Sequence, residues 1–261
     1  MDLLKLFEHV GYADGGTDTE RLFRLHRAFA FTVPFENIDV YNGKELSLKP
    51  EDLFEKVVTR RRGGYCFEMN TFFCAVLREM GYSVYGLLTR LSRGGMPFGG
   101  YVHRTNLVEA DGMKYLCDVG FGSDCFVEPL RFELDVIQET HGSTYRIVPG
   151  TDPSVEYTVE KLQDTGFEPL MGFIDRPAKE DDFVIANYHM NLSPTSPFRN
   201  FLMLNRFTET GRYSMMNLSF TCQEGERIEH RTVSWEELPG VLEAYFGLTE
   251  APDHPPAPPR L

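Results

Sequence analysis

Cys66 follows two arginines and two glycines in the stretch RRGGYCFEMN, residues 61–70, and stands where a helical pattern begins. A sulfur at the first turn of a helix sits beside backbone N–H groups that lack intrahelical partners and beside the positive end of the helix dipole. That setting favours the thiolate, the reactive form. Gly63 and Gly64 allow backbone angles that other residues resist and let a ligand come close. On this stretch alone, a buried cysteine that merely follows a turn fits as well. A thiolate nucleophile needs a base, and the base needs a group that orients it.

Both are found in YVHRTNLVEADGMKYLCDVGFG, residues 101–122. Asp111-Gly112 between two strand-like runs marks a two-residue hairpin loop. With that loop Ala110 pairs with Met113, and counting back puts Thr105 opposite Asp118 and His103 opposite Gly120. Side chains alternate with period two, so His103 and Asp118 share a face as diagonal neighbours within reach of each other. A three-residue loop would break this parity. An aspartate buried without a partner costs free energy, and His103 is the partner the spacing offers. The other six histidines show no comparable arrangement. Cys66, His103 and Asp118 therefore make a candidate Cys-His-Asp triad. The ordinary alternatives are a satisfied core histidine and a structural carboxylate.

The rest of the composition narrows the class. With 261 residues the chain can bury a sizeable core, and 42% hydrophobic with 25% charged residues is ordinary for a globular protein. A net charge of -13 disfavours nucleic acid and anionic lipid as partners. The start, MDLLKLFEHV, carries charges that break a signal-peptide core, and no apolar run is long enough to span a membrane, so a cytoplasmic protein is expected. The five cysteines (Cys66, Cys74, Cys117, Cys125, Cys222) are odd in number and form no CxxC pair. Neither a disulfide framework nor a metal site is expected, and all but Cys66 read as inert small hydrophobes.

The elements that must hold the triad follow from patterning. DTERLFRLHRAFAF carries a helical stripe at Leu22, Leu25 and Phe29, with Asp18 as the expected N-cap. Pro50 opens a second helix with Leu53, Phe54, Val57 and Val58 on one face. A third runs from Cys66 to Met80 and stops at Gly81. From there to about residue 174 the chain is β-branched, aromatic and punctuated by glycine, which reads as a meander or small barrel. NLSPTSPF, residues 191–198, reads as a connector. Strands are expected around FLMLNRF, YSMMNLSFT and RIEHRTV, then a last helix from Ser234, capped by Glu237, to Gly247. The proline-rich end, APDHPPAPPRL, reads as a mobile tail.

On these residues the chain resembles the arylamine N-acetyltransferase family. R-G-G-x-C-x-E-x-N is present as Arg62 to Asn70, and P-F-E-N as Pro34 to Asn37. H-x-x-x-L-V is present at His103, Leu107 and Val108, D-V-G-F-G as Asp118 to Gly122, and S-P-x-S-P-F as Ser193 to Phe198. The resemblance covers roughly the first 200 residues. It implies an α+β fold with a cysteine-proteinase-like core: a helical domain carrying the nucleophile (1–83), a central β-barrel carrying histidine and aspartate (84–190), a connector with an α/β lid (191–250) and the tail (251–261). It implies acetyl transfer from acetyl-CoA to arylamines, arylhydrazines or N-hydroxyarylamines through an acetyl-cysteine at Cys66. His103 is then the base and Asp118 its orienter. Phe35, Phe121 and Val102 are implied to line the amine pocket. Gly99 and Gly100 are implied to meet the cofactor, as an anion nest or a path for pantetheine, with Gly94 and Gly95 in the same loop; a flexible strand connection is the plainer reading. Arg62, Glu68 and Asn70 read as supports, with Arg62 pairing a buried carboxylate. An oxyanion hole is expected from the Cys66 N–H and a further amide that the sequence does not fix. Rival readings keep the triad: an amide synthase closing a macrocycle on a carrier-bound polyketide, or a cysteine acyl hydrolase. A catalytically dead binding module is disfavoured by the intact triad. Oligomeric state is left open.

Overall fold

The computed structural model describes residues 1–256 apart from 93, 95, 125 and 151. The first third is helical. α1 (Leu3–Val10) packs on α2 (Asp18–Thr32) through Leu6, Val10, Leu22, Leu25 and Phe29. The N-cap of α2 is Thr17, not Asp18. Glu20 N–H donates to Thr17 Oγ1 (3.3 Å), and Thr17 N–H donates to the Glu20 carboxylate (2.9 Å), a reciprocal capping box. Asp18 is the first helical residue and pairs with Arg21 at 3.0 Å.

The strand β1 (Phe35–Glu36), the turn α3 (Ile38–Tyr41) and α4 (Pro50–Phe54), which widens into a π-helical turn through Thr59, lead to α5 (Cys66–Glu79). Eleven of the fourteen α5 residues are buried, so this helix is an axis of the molecule rather than a surface element. Gly81 takes the left-handed angle (φ 91°) just past its end.

Eight strands follow: β2 (Ser83–Leu91), β3 (Tyr101–Ala110), β4 (Met113–Cys117), β5 (Leu130–Arg131), β6 (Gln138–Thr140), β7 (Ser143–Pro149), β8 (Tyr157–Gln163) and β9 (Gly166–Phe173). They form one antiparallel sheet in the order β5-β4-β3-β2-β9-β8-β7-β6. The two outer strands are bridged by one side chain. The Gln138 carboxamide accepts from Arg131 N–H (2.7 Å) and donates to Arg131 C=O (3.0 Å), which nearly closes the barrel. Leu87, Leu107, Leu116, Ile147, Val159 and Phe173 fill it.

Helix α6 (Glu180–Leu192) was not expected from the sequence. Its apolar residues lie on all sides: Phe183, Ala186 and Met190 are buried, while Val184, Ile185, Tyr188 and Leu192 are exposed, which leaves no clean stripe to read. The connector ends in α7 (Pro197–Asn200).

The last unit is a five-stranded antiparallel sheet, β1 with β10 (Met203–Thr208), β11 (Gly211–Met216), β12 (Ser219–Glu224) and β13 (Arg227–Thr232). YSMMNLSFT, expected as one strand, is a hairpin, because Asn217 turns the chain at φ 54°. The Ser234–Glu237 box is formed, but it caps a preceding turn. The helix α8 (Leu238–Val241) starts later, then continues through Phe246 to a left-handed Gly247. Of the expected tail, Pro252 is buried, Asp253 N–H donates to Asn42 Oδ1 (2.9 Å) and the His254 ring lies 4.7 Å from that of Tyr41. Residues 257–261 lie outside the described residues. Among the described residues no helix is long and apolar enough to cross a membrane.

Candidate active site

The hairpin forms with the counted register. Asp111 and Gly112 take positive φ (46° and 75°), and Ala110↔Met113 runs back through Asn106↔Cys117. Beyond Cys117 the chain leaves the ladder, and Asp118 turns its carboxylate onto His103: Nε2 and Oδ2 are 2.5 Å apart. Cys66 shares the floor of one cavity with this ring, close enough to act on it electrostatically. With Nε2 held by Asp118, Nδ1 is the nitrogen left for the sulfur. All three side chains are buried, at 3% exposure or less.

Burial alone would lower the His103 pKa. The Asp118 carboxylate outweighs it, with Cys66 adding its share, and raises it to about 10. The ring is therefore protonated at neutral pH and stands as a cation between two acids. Burial instead raises the thiols of Cys74 and Cys117, which fits their reading as inert; Cys222 is partly exposed with a thiol also raised. Cys125 lies outside the described residues.

Asp118 is tightly held. Its Oδ1 accepts from Asn70 Nδ2 (2.7 Å) and from Gly120 N–H (2.9 Å). Asn70 also donates to Arg104 C=O (2.6 Å) and accepts from Val119 N–H (3.0 Å), so the motif asparagine rivets α5 to the hairpin. A Cβ on Gly120 would lie 2.9 Å from Cys66 Cα, so glycine is what lets this turn close on the Cys66 backbone.

The glycines before Cys66 serve packing and not unusual angles, since neither has positive φ; Arg61 does, at 52°. A Cβ on Gly63 would be 1.8 Å from Pro34 C=O, and one on Gly64 2.9 Å from the Glu68 side chain. This closeness lets Gly64 pair with Phe35, Glu36 N–H donating to Gly64 C=O (3.0 Å). Beneath the loop lies a buried charge cluster. Arg62 Nε donates to Glu36 (3.0 Å) and Nη1 to Glu250 (2.7 Å); Lys56 bonds Glu68 (2.7 Å) and Asp39 (2.8 Å). Lys56 carried no signal in the sequence beyond its place in a helical stretch.

A cavity of about 300 Å³ opens at Cys66 and His103. Phe35, Phe121 and Val102 line it, the Phe121 ring edge-on to His103 at 4.9 Å. Leu91, Met190, Pro197, Phe198 and Met203 complete the wall and were not expected there. Asn37 brings part of that wall in. Its Nδ2 donates to the carbonyls of Phe198 and Phe201 (both 2.8 Å), and its Oδ1 accepts from Met203 N–H (2.7 Å). Gly99 and Gly100 lie exposed in the β2–β3 connection. Neither has positive φ, which an anion nest requires of alternate residues, and the space around Gly99 is open. Gly95 lies outside the described residues. Among the described residues no group of three or more His, Cys, Asp or Glu is placed to hold a metal.

A cavity walled by apolar and aromatic side chains, with a thiol and an imidazole at its base, can take up an acyl group and pass it to a nucleophile. The relatives agree. The family model for N-acetyltransferases matches residues 18–252. The arylamine N-acetyltransferase of Escherichia coli is 34% identical over 242 residues, 91% of this chain and 84% of that protein. The solved arylamine N-acetyltransferase of Salmonella typhimurium superposes with a TM-score of 0.88 at 29% identity, covering 98% of this chain and 94% of that one. The Mycobacterium marinum enzyme, solved in complex with CoA, gives 0.88 at 26% identity, covering 95% and 93%.

Proposed function

Because the chain belongs to the arylamine N-acetyltransferase family, we propose that Cys66, His103 and Asp118 carry acetyl-CoA-dependent acetylation of arylamines, arylhydrazines and N-hydroxyarylamines. The observation that carries this is the His103–Asp118 contact beside Cys66 at the floor of a cavity of about 300 Å³ lined by Phe35, Phe121 and Phe198.

The reaction runs in two half-steps. The Cys66 thiolate attacks the acetyl carbonyl of acetyl-CoA. The tetrahedral intermediate collapses, the C–S bond to CoA breaks, and CoA leaves as a thiol with the proton His103 held. Thioester is exchanged for thioester, so this step is nearly balanced in energy and readily reversed. An amine then attacks acetyl-Cys66, His103 takes the amine proton, and the Cys66 thiolate departs to restore the ion pair. Asp118 keeps the ring oriented and its cation stabilised throughout. The Cys66 N–H, at the first turn of α5, is a donor for the developing oxyanion. Phe35, Phe121 and Val102 face the aromatic ring of the amine. Gly99 and Gly100 have no nest geometry; the open space at Gly99, next to Gly100 and Val102, leaves room for the pantetheine arm.

The test is to mix the protein with acetyl-CoA and weigh it. One acetyl group on Cys66 is expected, removed on adding an anisidine or a hydrazide. No adduct, or an adduct on another residue, defeats the assignment.

A further inference from the structure

One histidine that showed no arrangement in the sequence lies against the triad. His26, on α2, is fully buried. Its Nδ1 is 2.8 Å from Val127 C=O, and its Nε2 is 3.1 Å from the backbone N of Asp118. These partners fix its state. A carbonyl only accepts, so Nδ1 carries the proton; an amide N–H only donates, so Nε2 offers its lone pair. The ring is edge-on to Phe73 of α5 at 5.5 Å and parallel to Phe126 at 6.2 Å, a dry sleeve.

We propose that neutral His26 is a positioning residue for the triad: through Asp118 N–H it sets the backbone from which the carboxylate reaches His103. The inference rests on the reading of Cys66, His103 and Asp118 given above. Asn70 and Gly120 fix the Asp118 carboxylate by its Oδ1, and Asn70 holds the peptide after Asp118 through Val119 N–H, but neither anchors the N–H on the other side of the Asp118 Cα. His26 supplies that anchor and ties it to α2 and to Val127, elements outside the hairpin. Burial pushes the His26 pKa down to about 4, against the pull of the nearby Asp118 carboxylate, so the lone pair on Nε2 is kept through the neutral range.

Three variants test this. His26→Phe keeps the aromatic packing and loses both hydrogen bonds. His26→Gln keeps a donor and an acceptor on a neutral side chain. His26→Asn keeps both on a shorter arm that cannot span the two partners. Each is assayed for single-turnover acetylation of Cys66, for the KM of the amine, and for the downfield proton resonance of the His103–Asp118 hydrogen bond. The Phe variant should acetylate at least tenfold more slowly with amine KM unchanged, and its downfield resonance should shift or vanish. The Gln variant should keep at least a third of the wild-type rate and the resonance. The proposal is overturned if the Phe variant acetylates within twofold of wild type, if its resonance is unmoved, or if Gln is as slow as Phe. Should the Phe variant fail to fold, the Asn variant decides: slower acetylation than Gln supports the proposal and a wild-type rate overturns it. Should wild type itself take no acetyl group, the triad reading falls, and the resonance still decides whether His26 holds Asp118.

Discussion

Asn70→Ala is the perturbation that isolates how the hairpin is held to the nucleophile's helix. The side chain is fully buried and makes three hydrogen bonds: to Arg104 C=O at 2.6 Å, from Val119 N–H at 3.0 Å, and to the Asp118 carboxylate at 2.7 Å. Each partner left unsatisfied in a buried site costs about 1–3 kcal/mol, and a charged partner costs more. Relaxation recovers part of this, so the loss comes to about 3–5 kcal/mol. For a chain of this size each kcal/mol moves Tm by roughly 2–4 °C, so a fall of about 10 °C is expected. Activity should suffer beyond stability. With one donor gone from Oδ1, the carboxylate can rotate away from His103 Nε2, and the imidazolium that holds the thiolate loses its orienter. The assay pairs thermal unfolding with single-turnover acetylation of Cys66 at a temperature where the variant is fully folded. A tenfold or greater loss of rate in folded protein is expected. A Tm within 2 °C of wild type together with a rate within twofold would refute the claim that this asparagine holds the triad.

The other expectations are briefer. The raised pKa of His103 gives stability that is complete below pH 6.5 and is lost as pH climbs towards 10, so the urea midpoint should fall across that window. His103→Gln should flatten the fall; an equal slope in the variant contradicts the assignment. Lys56→Met leaves Glu68 buried without its cation, while Asp39 keeps Lys44 (3.0 Å) and Arg62 (3.3 Å), and should cost about 3–5 kcal/mol by urea unfolding; a loss under 1 kcal/mol would mean that water or another cation fills in at Glu68. Gly120→Ala places a methyl 2.9 Å from Cys66 Cα, so acetylation should drop severalfold with a Tm loss of only a few degrees, whereas Gly63→Ala meets Pro34 C=O at 1.8 Å and should yield little soluble protein. Comparable yields from the two variants would show that the Pro34 contact gives way.

The His103–Asp118 contact was legible because its geometry is local. A two-residue loop and a period of two carry His103 to Asp118 by counting, and the helix start at Cys66 is marked by the glycines before it. Short-range patterning also gave α5 and the barrel texture. What it missed depends on partners far along the chain. The N–H and C=O that fix His26 belong to Asp118 and Val127, 92 and 101 residues away, so no spacing rule reaches them. The cavity wall is completed by Met190, Phe198 and Met203 from the last third, the latter two pulled in by Asn37, and α6 hides because its apolar residues are split between buried and exposed positions. Gly63 and Gly64 were rightly singled out for the wrong physical reason: a passing carbonyl and a glutamate stem, rather than backbone angle, demand their missing side chains.

That correction bears on why charges are buried beneath the nucleophile. A buried ion cluster is weak evidence for stability, since apolar packing of the same volume does as well or better. Its use here is geometric. Glu36 and Arg62 lie on the two segments that meet at the Phe35–Gly64 bridge, and Lys56 joins the carboxylate at the third turn-position of α5 to Asp39 beside β1. Glu68 in turn accepts from Tyr65 N–H (3.2 Å), the residue just before the cysteine. Each of these bonds is directional, which apolar contacts are not. Slipping the loop by one residue would strand a charge, at a cost of several kcal/mol that hydrophobic side chains would not impose. The same bridge that places Cys66 at the helix start also places Phe35 in the cavity wall. Cys66 and the Phe35 side of the cavity are therefore tied to one bridge, and the same directional bonds hold the sulfur and that wall.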